Sequence, residues 1–251
     1  SADTITFGTG NVTIADGTLT VNSVGGLIDF EGSILGTSDE VLVLNANAGS
    51  DNASTNEKVI TAVIGSGDQI HSVSITGRDG ITLEGNITTS NKASNNATFT
   101  GPVSINAATV AIDTDATGND GTITFTSTID SASGTSRNLD IVSATGNVTV
   151  TGAIGATTAL ATLDINQGGG DGDITLTSNI GADASNPGVT GVTRIGNAAT
   201  ADLNLNGTVY TTGGATTYAS AGTDLGGSSP TFTTSADTIT FGTGNVTIAD
   251  G

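Results

Sequence analysis

The stretch NLDIVSATGNVTVTGAI, residues 138–154, sets the pattern for the whole chain. Leu139 and Ile141 flank Asp140, and Val148 and Val150 flank Thr149. Strict apolar–polar alternation over a few residues is the period of a strand with one buried side. Between the two runs lies SATGN, whose Gly and Asn suit a tight corner. After Val150 come Thr151, the small Gly152 and Ala153, and then apolar Ile154. The stretch therefore reads as strand, corner, strand, kink, strand, with no helical period in it.

The second half of the stretch recurs along the chain. The seven-letter form VTVTGAI (148–154) matches IDFEGSI (28–34), ITLEGNI (81–87), ITFTSTI (123–129), ITLTSNI (174–180) and LNLNGTV (203–209). Successive starts are separated by 53, 42, 25, 26 and 29, which suggests a coil of roughly 25 residues. A shorter form precedes four of them: Leu19–Val21, Val73–Ile75, Leu139–Ile141 and Leu163–Ile165. A small residue sits at the bend of each seven-letter form, as at Gly32, Gly85, Gly152 and Gly207, where a side chain would crowd the next coil. Strands recurring at one coil length without helices between them stack in parallel, so the fold expected is an all-β parallel β-helix, a β-solenoid. Its core ladder is expected to run through Ile28, Phe30, Ile81, Leu83, Ile123, Phe125, Val148, Val150, Ile174, Leu176, Leu203 and Leu205. Roughly nine or ten coils at ~4.8 Å each make a unit about 45 Å long. The spacings of 53 and 42 are expected to hold two coils each, or in the second case one coil with an insertion. The polar segments 46–57, 89–97, 182–189 and 211–230 are expected to be loops projecting from one face.

A longer period lies above this one. SADTITFGTGNVTIADG occupies Ser1–Gly17 and returns unchanged at Ser235–Gly251, so that position 1 reappears at position 235. A shared structural need would not fix every surface position, so the reading is duplication: residues 1–234 are one complete unit and 235–251 open the next identical unit of a tandem array.

Composition narrows the classes of function. The chain has 24 acidic residues, 5 basic ones, one His, no Cys, no Met and no Trp, with a net charge of −19. Removing Asp237 and Asp250 with the second copy leaves −17 for one unit. A polyanion does not suit nucleic acid, whose binding rests on Lys and Arg neutralising phosphates. It does suit a solvated surface that repels its own copies sideways, and a calcium-rich exterior. Without Cys there are no disulfides and no thiolate metal sites. No apolar run approaches a membrane span, and no signal peptide is visible.

The segment GTITFTSTID…NLDIVSATGNVTVTGAIG…LATLDINQGGGDGDITLTSNIG resembles the coil repeats of giant bacterial surface proteins: filamentous-haemagglutinin-like and autotransporter-like adhesins and surface fibres. The match covers roughly residues 120–210, with weaker echoes from 18 to 87. The resemblance implies a right-handed β-helix, secretion across an outer membrane and a stalk or fibre role. It carries over no functional residue.

Several residues are candidates in their own right. The run Asp113-Thr-Asp115-Ala-Thr-Gly-Asn119-Asp120 offers three carboxylates and an Asn in a turn-forming stretch, the oxygen-rich supply that calcium takes. It departs from the EF-hand loop at Thr117 and Thr124. Asp171 and Asp173 in GGGDGD form a second calcium candidate, weighed against the commoner role of turn carboxylates. No other cofactor is expected. His71 lacks a nearby partner and reads as a surface or corner residue, and Arg78-Asp79 reads as a turn pair. Asn-x-Ser/Thr occurs at Asn11, Asn52, Asn86, Asn96, Asn147, Asn206 and Asn245, of which Asn52 and Asn96 lie in expected loops. Outward Thr-x-Thr pairs at 124/126, 149/151 and 175/177 offer a regular face of the kind that could bind ice, though a soluble strand face needs the same residues.

Five scattered basic residues give an enzyme little to build a groove from, so no enzymatic activity is expected. The expected role is a structural repeat of a giant extracellular fibre or adhesin stalk, on a bacterial cell surface or in a biofilm matrix. Its partners would be adjacent identical repeats, end to end, with lateral self-association or surface glycans as further partners. The alternative is a binding module for glycan, calcium or a partner cell, displayed by the loops.

Overall fold

The computed structural model describes residues 4–37, 39–47, 56–235 and 237–248. Among them every regular element is a β-strand, and every strand-to-strand pairing is parallel. The strands form a β-solenoid of ten coils with three faces. We number the faces I to III in the order in which each coil visits them.

Face I stacks Ile5–Phe7, Ile28–Phe30, Lys58–Thr61, Gly80–Leu83, Val103–Ile105 and Ile129–Ser131. It continues through single bridges at Ile154 and Ile180 into Val209–Thr212 and Thr231–Thr234. Face II runs from Val12–Thr13 and Ile34–Leu35 through a bridge at Ile64 to Ile87–Thr88 and Thr109–Asp113. It goes on through Asn138–Val142, Thr162–Ile165, Thr193–Ile195, Thr216–Tyr218 and Ile239–Phe241. Face III is an unbroken ten-stranded sheet from Thr18–Asn22 to Asn245–Ile248.

Alternation determines the core. In most strands between the two end coils the inward positions are buried and the outward ones are not, as in Ile123, Thr124, Phe125. Ile, Val and Leu fill most of the interior, and aromatic rings stack from coil to coil: Phe7 on Phe30 at 4.2 Å and Phe99 on Phe125 at 4.7 Å. Coils nine and ten close around four rings, with Tyr210 over Phe232 at 4.8 Å and Tyr218 over Phe241 at 5.4 Å. The edge-on contacts between the two columns are of the kind aromatic quadrupoles favour.

The twelve residues expected to form one ladder are all buried, but they belong to two ladders. Ile28, Phe30, Ile81 and Leu83 line face I. Ile123, Phe125, Val148, Val150, Ile174, Leu176, Leu203 and Leu205 line face III. The seven-letter form thus turns the corner from face I to II early in the chain, and from face III to I later. The spacing of 53 is two coils, Ile28 to Val59 to Ile81. The spacing of 42 is not a whole number of coils, because it runs from face I to face III.

Segment 211–230 is also corrected. It is no projecting loop: it holds Thr216–Tyr218 and Gly222–Leu225 in the shortest coil, the one in which Leu203 pairs with Thr223. Nor do the remaining loops leave one face. Residues 91–96 lie between faces II and III and 182–189 between faces I and II. Most of segment 46–57, including Asn52, lies outside the described residues.

Candidate functional site

Face III carries the most regular outward surface. Four neighbouring strands place Thr98 and Thr100, Thr124 and Thr126, Thr149 and Thr151, and Thr175 and Thr177 in register. Parallel pairing sets the rows about 4.8 Å apart, and strand rise sets the two columns about 6.7 Å apart. The first column is half-buried and the second exposed. Ser74 and Thr76 extend the lattice on one side, and Asn204 and Asn206 on the other. The Thr-x-Thr pairs of the sequence are therefore brought onto one face.

The corner between faces II and III holds both acidic loops. In the first, the side chains of Asp113, Asn119 and Asp120 already have partners. The Asp115 amide donates to Asp113 Oδ1 at 2.9 Å. The Ala116 amide donates to Asp120 Oδ1 at 3.2 Å, and the amide and hydroxyl of Thr145, one coil on, donate to Asp120 Oδ2 at 3.1 and 2.6 Å. Asn119 Nδ2 donates to Asn91 Oδ1, one coil back, at 2.9 Å. Burial pushes the Asp120 carboxyl up, but the Thr145 and Ala116 donors outweigh it and hold the group below its ordinary range. Asp113 goes the other way: burial raises it, and the Asp115 charge adds to the rise. In the second loop, Asp173 Oδ1 accepts from the Asp202 amide at 3.2 Å, while Asp171 is exposed. Among the described residues, no group of three His, Asp or Glu side chains converges as a metal cage would require.

The same corner contains the buried amides of Asn95, in the fourth coil, and Asn166, in the seventh. Asn95 Nδ2 donates to the carbonyls of Thr114 and Asn119 at 3.1 and 3.2 Å. Asn166 Oδ1 accepts from the Ser143 amide at 2.7 Å. Glu40 is buried here too. Burial raises its carboxyl, but the Thr37 hydroxyl and amide and the Asp39 amide outweigh that and hold it at about 2. His71 sits at this corner with Nε2 2.9 Å from the Ala93 carbonyl oxygen, as a corner residue should. Arg78 and Asp79 form a turn, with Arg78 Nε 2.7 Å from Glu57 Oε2.

Face II holds an acidic column that the sequence analysis did not single out. Asp140 pairs with Asp164, and Asp164 with Arg194, in one outward line. Arg194 Nη1 lies 3.3 Å from both carboxylate oxygens of Asp164. Burial raises the Asp140 carboxyl, and the charges of Asp164 and Asp113 raise it further. The signal was present: LDI at 139–141 and again at 163–165 places the two acids in equivalent positions.

Between faces I and II lies an open depression of about 490 Å³, lined by small or neutral side chains that include Thr157, Asn186, Pro187 and Thr190. It contains no titratable group. No family model, no curated protein and no solved structure matches this chain.

Proposed function

We propose that the chain is a structural repeat of a giant extracellular fibre or adhesin stalk, displayed on a bacterial surface or in a biofilm matrix. The observation that carries this reading is the return of Ser1–Gly17, unchanged, at Ser235–Gly251. On this reading the ends of the solenoid are where one unit meets the next. Of the apolar side chains only partly covered by the core, Ile5, Phe7, Val12 and Leu19 lie in the first coil, and Phe232, Ile239 and Phe241 in the last. Val246 and Ile248 of the last strand are exposed. An open parallel edge with apolar side chains is a template for another strand, and a following unit would cover it. A net charge of −19 would oppose sideways association while the ends stack.

The alternative reading, a binding module, is favoured by the threonine lattice of face III. A chain of several units, imaged by electron microscopy with and without calcium, separates the two. Straight rods that lengthen by ~45 Å per added unit support the fibre. Compact or bead-like particles would leave the binding module as the better reading. Rods that form only with calcium would assign an ion to the Asp113–Asp120 or Asp171–Asp173 loop.

A further inference from the structure

The two copies of the duplicated stretch do not occupy the same place in the cross-section. Ile5–Phe7 lies on face I, paired with Ile28–Phe30, whereas its copy, Ile239–Phe241, lies on face II, paired with Thr216–Tyr218. Likewise Val12–Thr13 lies on face II, and its copy lies within Asn245–Ile248 on face III. In both places the alternation is kept. Phe7 stacks inward on Phe30, and Phe241 stacks inward on Tyr218.

The numbering gives the size of the shift. Leu19 and Val246 stand at equivalent positions of face III, nine coils apart. The tandem copy of Leu19 would stand seven positions beyond Val246, because position 1 reappears at 235 and position 19 therefore at 253. Seven positions is also the step from Ile5 on face I to Val12 on face II, and from Val12 to Leu19 on face III. One unit therefore fills nine coils and one further face.

We infer that consecutive units of the array are turned by one face, about a third of a turn, and return to the same orientation only after three units, or 28 coils. This rests on the tandem reading proposed above. The junction accommodates the turn without rearrangement. The strand due next is the copy of Thr18–Asn22, and on this phase it lies on face I beneath Thr231–Thr234. That sets the copy of Leu19, at position 253, under Phe232. The coil so formed is slightly longer than the shortest one seen, Leu203 to Thr223, and well short of the longest, Val41 to Ser72. The copy of Phe30 then falls under Phe241 on face II and lengthens the Tyr218–Phe241 column by one ring. Both half-covered aromatics of the last coil gain an apolar cover.

The turn decides what the fibre presents. The threonine lattice of one unit is continued along the rod by the face that carries Asp140, Asp164 and Arg194, then by a third face, and only then by threonines again. No side of the fibre is uniform for more than one unit, and three sides carry each surface in rotation. A lateral partner that reads the threonines would meet them every ~134 Å along any one side, from 28 coils at ~4.8 Å.

Two experiments test the inference. The chain has no Cys, so paired cysteines report contacts without interference. Thr217 and Thr240 are outward neighbours on face II. In the 251-residue chain, Thr217→Cys with Thr240→Cys is expected to oxidise to a disulfide, and Thr211→Cys with Thr240→Cys is not. The reverse result would put the second copy back on face I and overturn the inference. In a chain of three or more units, Ser66→Cys, on an exposed corner of each unit, is tagged with biotin and streptavidin and imaged. Tags at three successive azimuths, ~45 Å apart, are expected. Tags in a single line along straight rods would overturn the third-of-a-turn step while leaving the tandem fibre intact. Units that tumble as separate beads would overturn the fibre reading itself, and the inference with it.

Discussion

Gly146 shows how closely the coils approach one another. Gly121, Gly146 and Gly172 stack at the corner between faces II and III. A Cβ on Gly146 would stand 2.1 Å from the Gly121 carbonyl oxygen, and one on Gly172 would stand 2.1 Å from that of Gly146. Backbone on both sides leaves nothing flexible to give way, so Gly146→Ala is expected to cost about 1–3 kcal/mol or more as an overpacked contact. Gly168, in the neighbouring loop, has open space around the same direction and no left-handed backbone. Gly168→Ala should stay within about 0.5 kcal/mol of the parent, and urea midpoints of the two variants check the contrast. Glu40 supplies a pH test. Its folded carboxyl is held at about 2, below the ordinary 4.5, so its contribution is fully present above pH ~4.5 and is lost as the pH falls towards 2. Glu40→Gln should therefore be less stable than the parent at pH 7, and the gap should close across that window. A gap that persisted at pH 2 would show that the charge is not what matters. The sequence marked Asp113 and Asp120 as calcium candidates in a turn-forming stretch but could not show what they hold, because the Thr145 donors to Asp120 come from the next coil.

At the scale of the strand, face II stacks like charges. Asp140 lies over Asp164, and the cation of the column, Arg194, stands at its far end. The folded Asp140 carboxyl is raised, so ionising it opposes folding at neutral pH, and the penalty fades as the pH falls through its folded value. Asp140→Asn is expected to stabilise the chain at pH 7 by about 0.2–1 kcal/mol, the usual size of a cross-strand charge effect, and to lose that gain in acid. Thermal unfolding at pH 7 and pH 3 measures both. Element by element, the alternation made the strands and the inward residues legible in the sequence. It did not reveal which face each strand occupies, because all three faces require the same apolar–polar alternation. That is why Ile81 and Ile123 read as one ladder although they line faces I and III. Segment 211–230 misled for a different reason. Its Gly, Ser and Thr have the composition of a loop, yet here they form short corners between strands whose inward positions are Thr216, Tyr218, Thr223 and Leu225.

The whole molecule is a one-dimensional stack whose coils are held by their neighbours above and below. Strand pairing runs between adjacent coils, from the Ile5–Ile28 pair at one end to Leu225–Ile248 at the other. In such a stack the terminal coils are the weak points, and each added unit removes two apolar ends by covering one with the other. The coil count and the narrow apolar core were legible from the spacing of about 25 residues. The rotation between units was not, because it depends on the sum of all the irregular corners. The most direct test of end-to-end continuity is denaturant unfolding of the 251-residue chain beside a chain of three units in tandem. A continuous solenoid should give one cooperative transition, with a higher midpoint for the three-unit chain. Equal midpoints for the two chains would mean that the units fold independently, and would contradict the continuous solenoid.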